Sequence, residues 1–302
     1  MSNGIRIGTA PDSWGVWFAD DPNQVPWDRF LDEVVKAGYT WIELGPYGYL
    51  PTDPHQLQDE LRKRGLKLSA GTVFTGFHKG DDQWKRAWDQ ALAVAGLASK
   101  LGAEHLVVIP DLWRSDATGE ALEPRTLDAD QWAKLAAAHD RLGKALLDEF
   151  GMKQQFHSHA DSHIGTYREV ERFLTETDER YTNLCLDTGH FAYYGGDNLK
   201  LIDAYPSRIG YLHLKQVDQT QLFDVLKNDV SFKDAVADGI MIEPPNGVPP
   251  LAPIIEKVAA LDPNIFGIVE QDMYGCAVDH PFPIAQRTRE HLLSSTPAAR
   301  LD

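Results

Sequence analysis

Cysteine is nearly missing from this chain: among 302 residues only Cys185 and Cys276 carry a thiol. That scarcity excludes a disulfide framework and any cysteine-rich zinc site. Cys185 lies inside an apolar run, where it reads as a buried and inert thiol. Long hydrophobic runs are missing as well. No stretch approaches the roughly 20 apolar residues that span a bilayer, and Met1-Ser-Asn-Gly-Ile-Arg has no apolar core of a secretory signal. A cytoplasmic protein without a membrane partner is expected. Positive charge is also short, with 29 Lys and Arg against 45 Asp and Glu and a formal net charge of −16. Such a field argues against nucleic-acid phosphate and anionic membranes as partners. Neither low-complexity segments nor repeats of fixed short period occur.

What remains is an ordinary globular composition, 43% hydrophobic and 25% charged, in a length suited to one (β/α)8 barrel. Short apolar runs alternate with longer amphipathic segments. Ile5–Thr9, Thr40–Leu44, Leu66–Ala70 and His105–Ile109 read as the first four strands, and the segments between them as helices over Trp27–Ala37, His55–Arg64 and Gln83–Leu101. Gly38, Gly65 and Gly102 fit the left-handed position that closes a helix. A polar insertion, Trp113–Asp128, precedes a helix over Ala129–Gly151. Later helices are expected over Tyr167–Glu176, Asn198–Tyr205 and Leu251–Ala260. This α/β alternation without a linker predicts a single TIM-barrel domain over residues 1–302. The connection around 218–250 is longer than usual and predicts an extended rim loop. It could be a lid or binding loop, or an excursion packed on the rim or on a neighbouring subunit.

Four further runs end in chemically capable residues. Met152-Lys-Gln-Gln-Phe leads into His157-Ser-His159, and Thr182-Asn-Leu-Cys-Leu into Asp187-Thr-Gly-His190. Arg208-Ile-Gly-Tyr-Leu leads into His213-Leu-Lys215, and Ile265-Phe-Gly-Ile-Val into Glu270-Gln-Asp272. In a parallel barrel the C-terminal strand ends share one rim, where active sites sit. His157, Asp187, His213 and Glu270 are therefore candidate metal ligands. Imidazole and carboxylate without thiolate suit Mn²⁺, Co²⁺, Mg²⁺ or Zn²⁺. His157 and His159 are two apart and point to the same side of an extended chain.

The order Asp-x-Gly-His, His-x-Lys and Glu after the last three strands resembles the xylose-isomerase-like TIM barrels. That family includes sugar isomerases, ketose epimerases and endonuclease IV. Within it His157-Ser-His159, Tyr211-Leu-His-Leu-Lys215 and Val269-Glu-Gln-Asp272 are most similar to inosose dehydratases, which remove water from 2-keto-myo-inositol to give a diketo product. Gly8-Thr-Ala-Pro-Asp-Ser-Trp14 and Ile42-Glu-Leu-Gly45 carry the resemblance in the first half. It implies metal ligands at Asp187, His213 and Glu270. Most relatives place a Glu at the end of strand five, where this chain has His157, so an imidazole substitutes or three protein ligands remain.

The resemblance further implies a metal-dependent lyase acting on a keto-sugar or cyclitol, with Mn²⁺ or Co²⁺ expected. His159 and His190 are the candidate base and acid. His190 would contact a substrate oxygen or serve as an outer hydrogen-bond donor. Lys215 would bind substrate hydroxyls or stabilise an enolate, or else pair with Asp272 or Asp218. Glu43 would hydrogen-bond substrate or move protons. Trp14 would form an aromatic wall or pack in the core. Trp17, Phe74, His78, Trp113 and Tyr194 are further candidates for the mouth. A homo-oligomer, dimer or tetramer, is implied as well.

Other readings keep or change the class. The same site could return the proton, giving a ketose isomerase or epimerase, or cleave an oxidised C-glycoside by elimination. Endonuclease IV-like phosphodiester cleavage needs more ligands and a basic face, which the charge opposes. A sugar-binding module would have no use for convergent ligands.

Overall fold

Strand β1 (Ile5–Thr9) pairs in parallel with β2 (Trp41–Glu43) on one side and β8 (Phe266–Val269) on the other, which closes the sheet. Between them run β3 (Lys67–Thr75), β4 (His105–Pro110), β5 (Lys153–His157), β6 (Thr182–Asp187) and β7 (Ile209–Leu214), each parallel to its neighbour. A short β9 (Ala299–Arg300) adds to the outside of β1. This is a (β/α)8 TIM barrel. The computed structural model describes residues 4–302; Met1, Ser2 and Asn3, on which part of the reading of the N-terminus rests, lie outside the described residues. No helix is long and apolar enough to cross a membrane among those residues.

The outer layer is helical. It comprises α1 (Trp27–Ala37), α2 (Pro54–Arg64), α3 (Asp81–Lys100), α4 (Ala129–Ala145), α5 (Tyr167–Glu176), α6 (Thr188–Tyr193), α7 (Asn198–Ala204), α8 (Gln219–Lys227), α9 (Phe232–Ala237), α10 (Leu251–Leu261) and α11 (Pro281–Ser295). The αL turns at Gly38 (φ 87°) and Gly65 (φ 70°) end α1 and α2 where the sequence places them. Three departures matter. Strand β3 continues five residues past Ala70, carrying Thr72 and Phe74 up to the rim. The helix from Ala129 gives way at Leu146 to a π turn over Leu146–Phe150. Helix α11 is not anticipated by the sequence reading.

The lower barrel is filled by Ala70, Val107, Cys185, Tyr211, Phe266 and Ile268, with Tyr211 Oη donating to Ser69 Oγ at 2.9 Å. Cys185 is fully buried there, and burial pushes its thiol up to about 12, so it stays protonated. The long connection after β7 leaves and returns at one point: Val217 and Val248 exchange backbone hydrogen bonds at 2.8 and 3.0 Å. Its Val225, Phe232, Ala235, Val236, Ile240 and Met241 form a small core with Ala160 and Tyr193. The excursion packs on the rim and also delivers Phe232 and Lys233 to the cavity below.

Candidate active site

Register brings the strand ends to one height. Asp187 pairs level with His213, and His213 with Ile268, two residues before Glu270 on the same face. One donor atom from each of His157, Asp187, His213 and Glu270 lies within 4.8 Å of the others, and all four residues are buried. His157 Nε2 stands 3.3 Å from Asp187 Oδ2 and 3.9 Å from Glu270 Oε2. His213 Nδ1 stands 2.7 Å from Glu270 Oε2 yet forms no hydrogen bond. Two imidazoles and two carboxylates converging in a buried cluster, with His213 Nδ1 left without a hydrogen-bond partner, fit a divalent cation.

The Asp187-Thr-Gly-His190 stretch divides its labour residue by residue. Asp187 Oδ1 caps α6 by accepting from the Gly189 and His190 N–H groups at 2.9 and 2.7 Å, which leaves Oδ2 for the cluster. Thr188 Oγ1 donates to the Lys215 carbonyl at 2.7 Å and accepts from the Lys215 N–H at 2.9 Å. Gly189 gives Lys215 room, since a Cβ there would lie 2.6 Å from Lys215 Cγ. His190 Nδ1 lies 3.1 Å from the Ala160 N–H and its Nε2 3.0 Å from Lys215 Nζ, so both ring nitrogens face donors.

Lys215 is fully buried, with Nζ 2.7 Å from Asp272 Oδ2 and 3.2 Å from both Asp187 Oδ2 and Glu270 Oε2. Burial opposes its charge, but these carboxylates raise its pKa well above the ordinary lysine value. Asp187 is held well below the usual carboxylate range: burial opposes ionisation, and Lys215 and His190 outweigh it. The expected pairing with Asp272 is present, whereas Asp218 instead caps α8 through the Thr220 N–H at 2.8 Å.

His159 Nδ1 donates to the Ala160 carbonyl at 2.6 Å, so Nε2 bears the lone pair. Its ring lies 3.8 Å from that of His190 and borders the cavity. Burial, followed by His157 and Lys215, pushes its pKa down to about 3, which keeps the imidazole neutral. The cavity has a volume of about 340 Å³ and is also lined by Asp12, Trp17, Phe74, Arg114, Asp161, Glu270 and Asp272.

Two expectations fail geometrically. Trp14 does not wall the cavity. The 3-10 turn over Pro11–Trp14 aims its indole between the barrel and α1, where Nε1 donates to Glu33 Oε2 at 2.8 Å and the ring packs edge-on to Phe30. Trp17 supplies the aromatic wall, donating from Nε1 to Asp272 Oδ1 at 3.1 Å between the parallel rings of Phe232 and Tyr274. Glu43 does not border the cavity either; its Oε1 is 2.8 Å from His213 Nε2. Phe74 lines the mouth as expected, whereas His78 faces Glu123, Trp113 lies under Arg114 and Tyr194 accepts from the Asp161 N–H. Asp12 escaped the sequence reading although it stands beside Trp14 in the first rim turn. Burial, then Glu270 and Asp272, raises its carboxyl well above the usual range.

Residues 31–292 match the profile described as xylose isomerase-like TIM barrel. The chain belongs to that family. An inosose dehydratase of Geobacillus kaustophilus is 29% identical over 96% of this chain and 94% of its own length. A Rhizobium meliloti protein named rhizopine catabolism protein MocC is 29% identical over 98% and 90%. Among solved structures, the IolI protein with a binding zinc atom superposes with a TM-score of 0.71 over 96% of this chain and 99% of its own, at 15% identity.

Proposed function

We propose that this member of the family is a divalent-metal-dependent dehydratase of a keto-cyclitol, 2-keto-myo-inositol or a close analogue. One observation carries the reading: His157, Asp187, His213 and Glu270 converge beside a cavity that Glu270 and His159 line. Relatives named inosose dehydratase that align over nearly the full chain support the substrate class. The two imidazoles and two carboxylates would hold Mn²⁺ or Co²⁺. Such an ion, when bound, polarises a ketone and makes its α-proton more acidic.

The chain's own groups account for the proton movements. His159 Nε2 takes the α-proton, and the resulting imidazolium gives it to the departing β-hydroxyl, which leaves as water. The enol that remains becomes the second ketone. His190, whose ring lies against that of His159, positions this base, while buried Lys215 balances the carboxylates around it. The two rings lie 3.8 Å apart at a 35° tilt, a contact that supports His190 as the group behind the proposed base. An isomerase or epimerase would share the first step and return the proton to carbon. A dimer or tetramer belongs to the same proposal and is checked by light scattering.

The deciding experiment incubates metal-stripped protein, resupplied with Mn²⁺ or Co²⁺, with 2-keto-myo-inositol and follows absorbance of the diketo product. Metal-dependent product is expected. Solvent deuterium entering recovered substrate or an epimer, without diketone, would replace dehydration by proton return.

A further inference from the structure

A second group of ligand-type side chains sits outside the site described above. His78 Nε2 lies 3.1 Å from both carboxylate oxygens of Glu123, and His163 Nε2 lies 3.3 Å from Glu123 Oε1. One donor atom from each residue falls within 4.8 Å of the others. Both imidazoles are 2% exposed. The three residues come from separate connections: His78 follows β3, Glu123 belongs to the insertion after β4, and His163 follows β5.

The hydrogen bonding leaves a gap that a cation would fill. His163 Nδ1 donates to the Arg125 carbonyl at 2.8 Å, so Nε2 of the neutral ring carries a lone pair. That lone pair faces a carboxylate oxygen, itself an acceptor, and makes no hydrogen bond. A backbone carbonyl that fixes one ring nitrogen and leaves the other free is the arrangement common behind histidine metal ligands. His78 is driven toward its neutral form by burial, against the pull of Glu123. Lys79 is the nearby competing cation, but its ammonium is 2.9 Å from Asp111 and 3.4 Å from Glu123, so Asp111 is its closer partner.

We infer that His78, Glu123 and His163 form a second divalent-cation site, of the two-imidazole, one-carboxylate type that zinc accepts. An ion there ties together the connections after β3, β4 and β5. The same strand end and loops supply Phe74, Arg114, Asp116 and Asp161 to the cavity, so the ion stiffens one wall of it. The inference stands apart from the proposed reaction.

Crystals of the full chain soaked in Zn²⁺ and measured at the zinc absorption edge test it directly. A peak among the three side chains is expected, whether or not one appears at His157, Asp187, His213 and Glu270. No peak there, with all three side chains ordered, would overturn the site and leave a shared proton in its place. In solution, Asp187→Asn with Glu270→Gln, which removes two ligands of the first cluster and leaves His78, Glu123 and His163 intact, should retain roughly one Zn²⁺ per chain after dialysis. Adding Glu123→Gln and His163→Asn should abolish that ion; if this last protein does not fold, the crystal result and the first variant still decide. An Asp187→Asn, Glu270→Gln protein that is folded but binds no zinc counts against the site.

Discussion

Glu43 Oε1 stands 2.8 Å from Nε2 of His213, and Thr72 Oγ1 donates to the other carboxylate oxygen at 2.9 Å. The carboxylate therefore takes the proton-bearing nitrogen of the imidazole and turns Nδ1 toward Asp187 and Glu270. Losing an outer partner of this kind costs roughly 10–100-fold in metal affinity. Glu43→Gln should raise the dissociation constant for Mn²⁺ by that factor, measured by competition with a chromogenic chelator. KM for substrate at saturating metal should hold. A raised KM with unchanged metal affinity would return Glu43 to the substrate.

Asp187 has two oxygens with separate duties, a helix cap and a place in the ligand cluster. Asp187→Ala removes both, while Asp187→Asn preserves an oxygen for the cap. Both variants should lose metal and turnover together. The alanine variant should be less stable than the asparagine variant by about 1 kcal/mol, the usual value of a cap, by urea unfolding. An Asp187→Asn protein that stays metal-loaded and active would remove Asp187 from the ligand set.

The rim residues were legible because parallel strands present their C-terminal ends together, so Asp187, His213 and Glu270 follow from three apolar runs. Helix α1 was legible to the residue because a glycine in the left-handed region ends it. What stayed hidden depends on tertiary direction. Trp14 and Trp17 are three apart, and only the turn over Pro11–Trp14 decides which indole meets the cavity. Glu43 reaches His213 across the barrel from β2 to β7, a proximity that no spacing encodes. Strand β3 runs on past Ala70 because Gly71–Thr75 pairs with β4 residue by residue, although Gly71 and Gly76 look like turn positions.

His159 is the base in the proposed elimination, its Nδ1 held by the Ala160 carbonyl. His159→Ala should lower kcat by roughly 10²–10⁴-fold, the range for a positioned proton-transfer group. Metal content should stay at the wild-type level, since His159 lies outside the ligand cluster. Added imidazole should restore part of the rate. Full turnover in the metal-loaded variant would eliminate it as the base.

Gly189 has a positional requirement rather than a chemical one. A Cβ at this residue would stand 2.6 Å from Cγ and 2.8 Å from Cβ of Lys215. Gly189→Ala should therefore shift the lysine away from Asp272, lower kcat, and destabilise the protein by about 1–3 kcal/mol through overpacking. A crystal structure of the variant with Lys215 unmoved and full activity would refute this link between the two residues.

His139 gives stability a pH dependence remote from the rim. Its ring packs edge-on against Phe77, Phe156 and Phe173, and Nδ1 faces Gln154 Oε1 at 3.3 Å. Burial, opposed by Gln154, pushes its pKa from 6.5 down to about 4. Between those values the unfolded chain binds a proton that the folded chain refuses, so stability is present above 6.5 and drains as pH falls toward 4. The slope for one proton is about 1.4 kcal/mol per pH unit, or about 2 kcal/mol between pH 7 and pH 5. His139→Leu should lose that share of the acid sensitivity, while His105, pushed by burial down to about 3, keeps its own in both proteins. Urea midpoints at the two pH values check this; an equal pH-induced loss in variant and wild type would show that His139 is not a source.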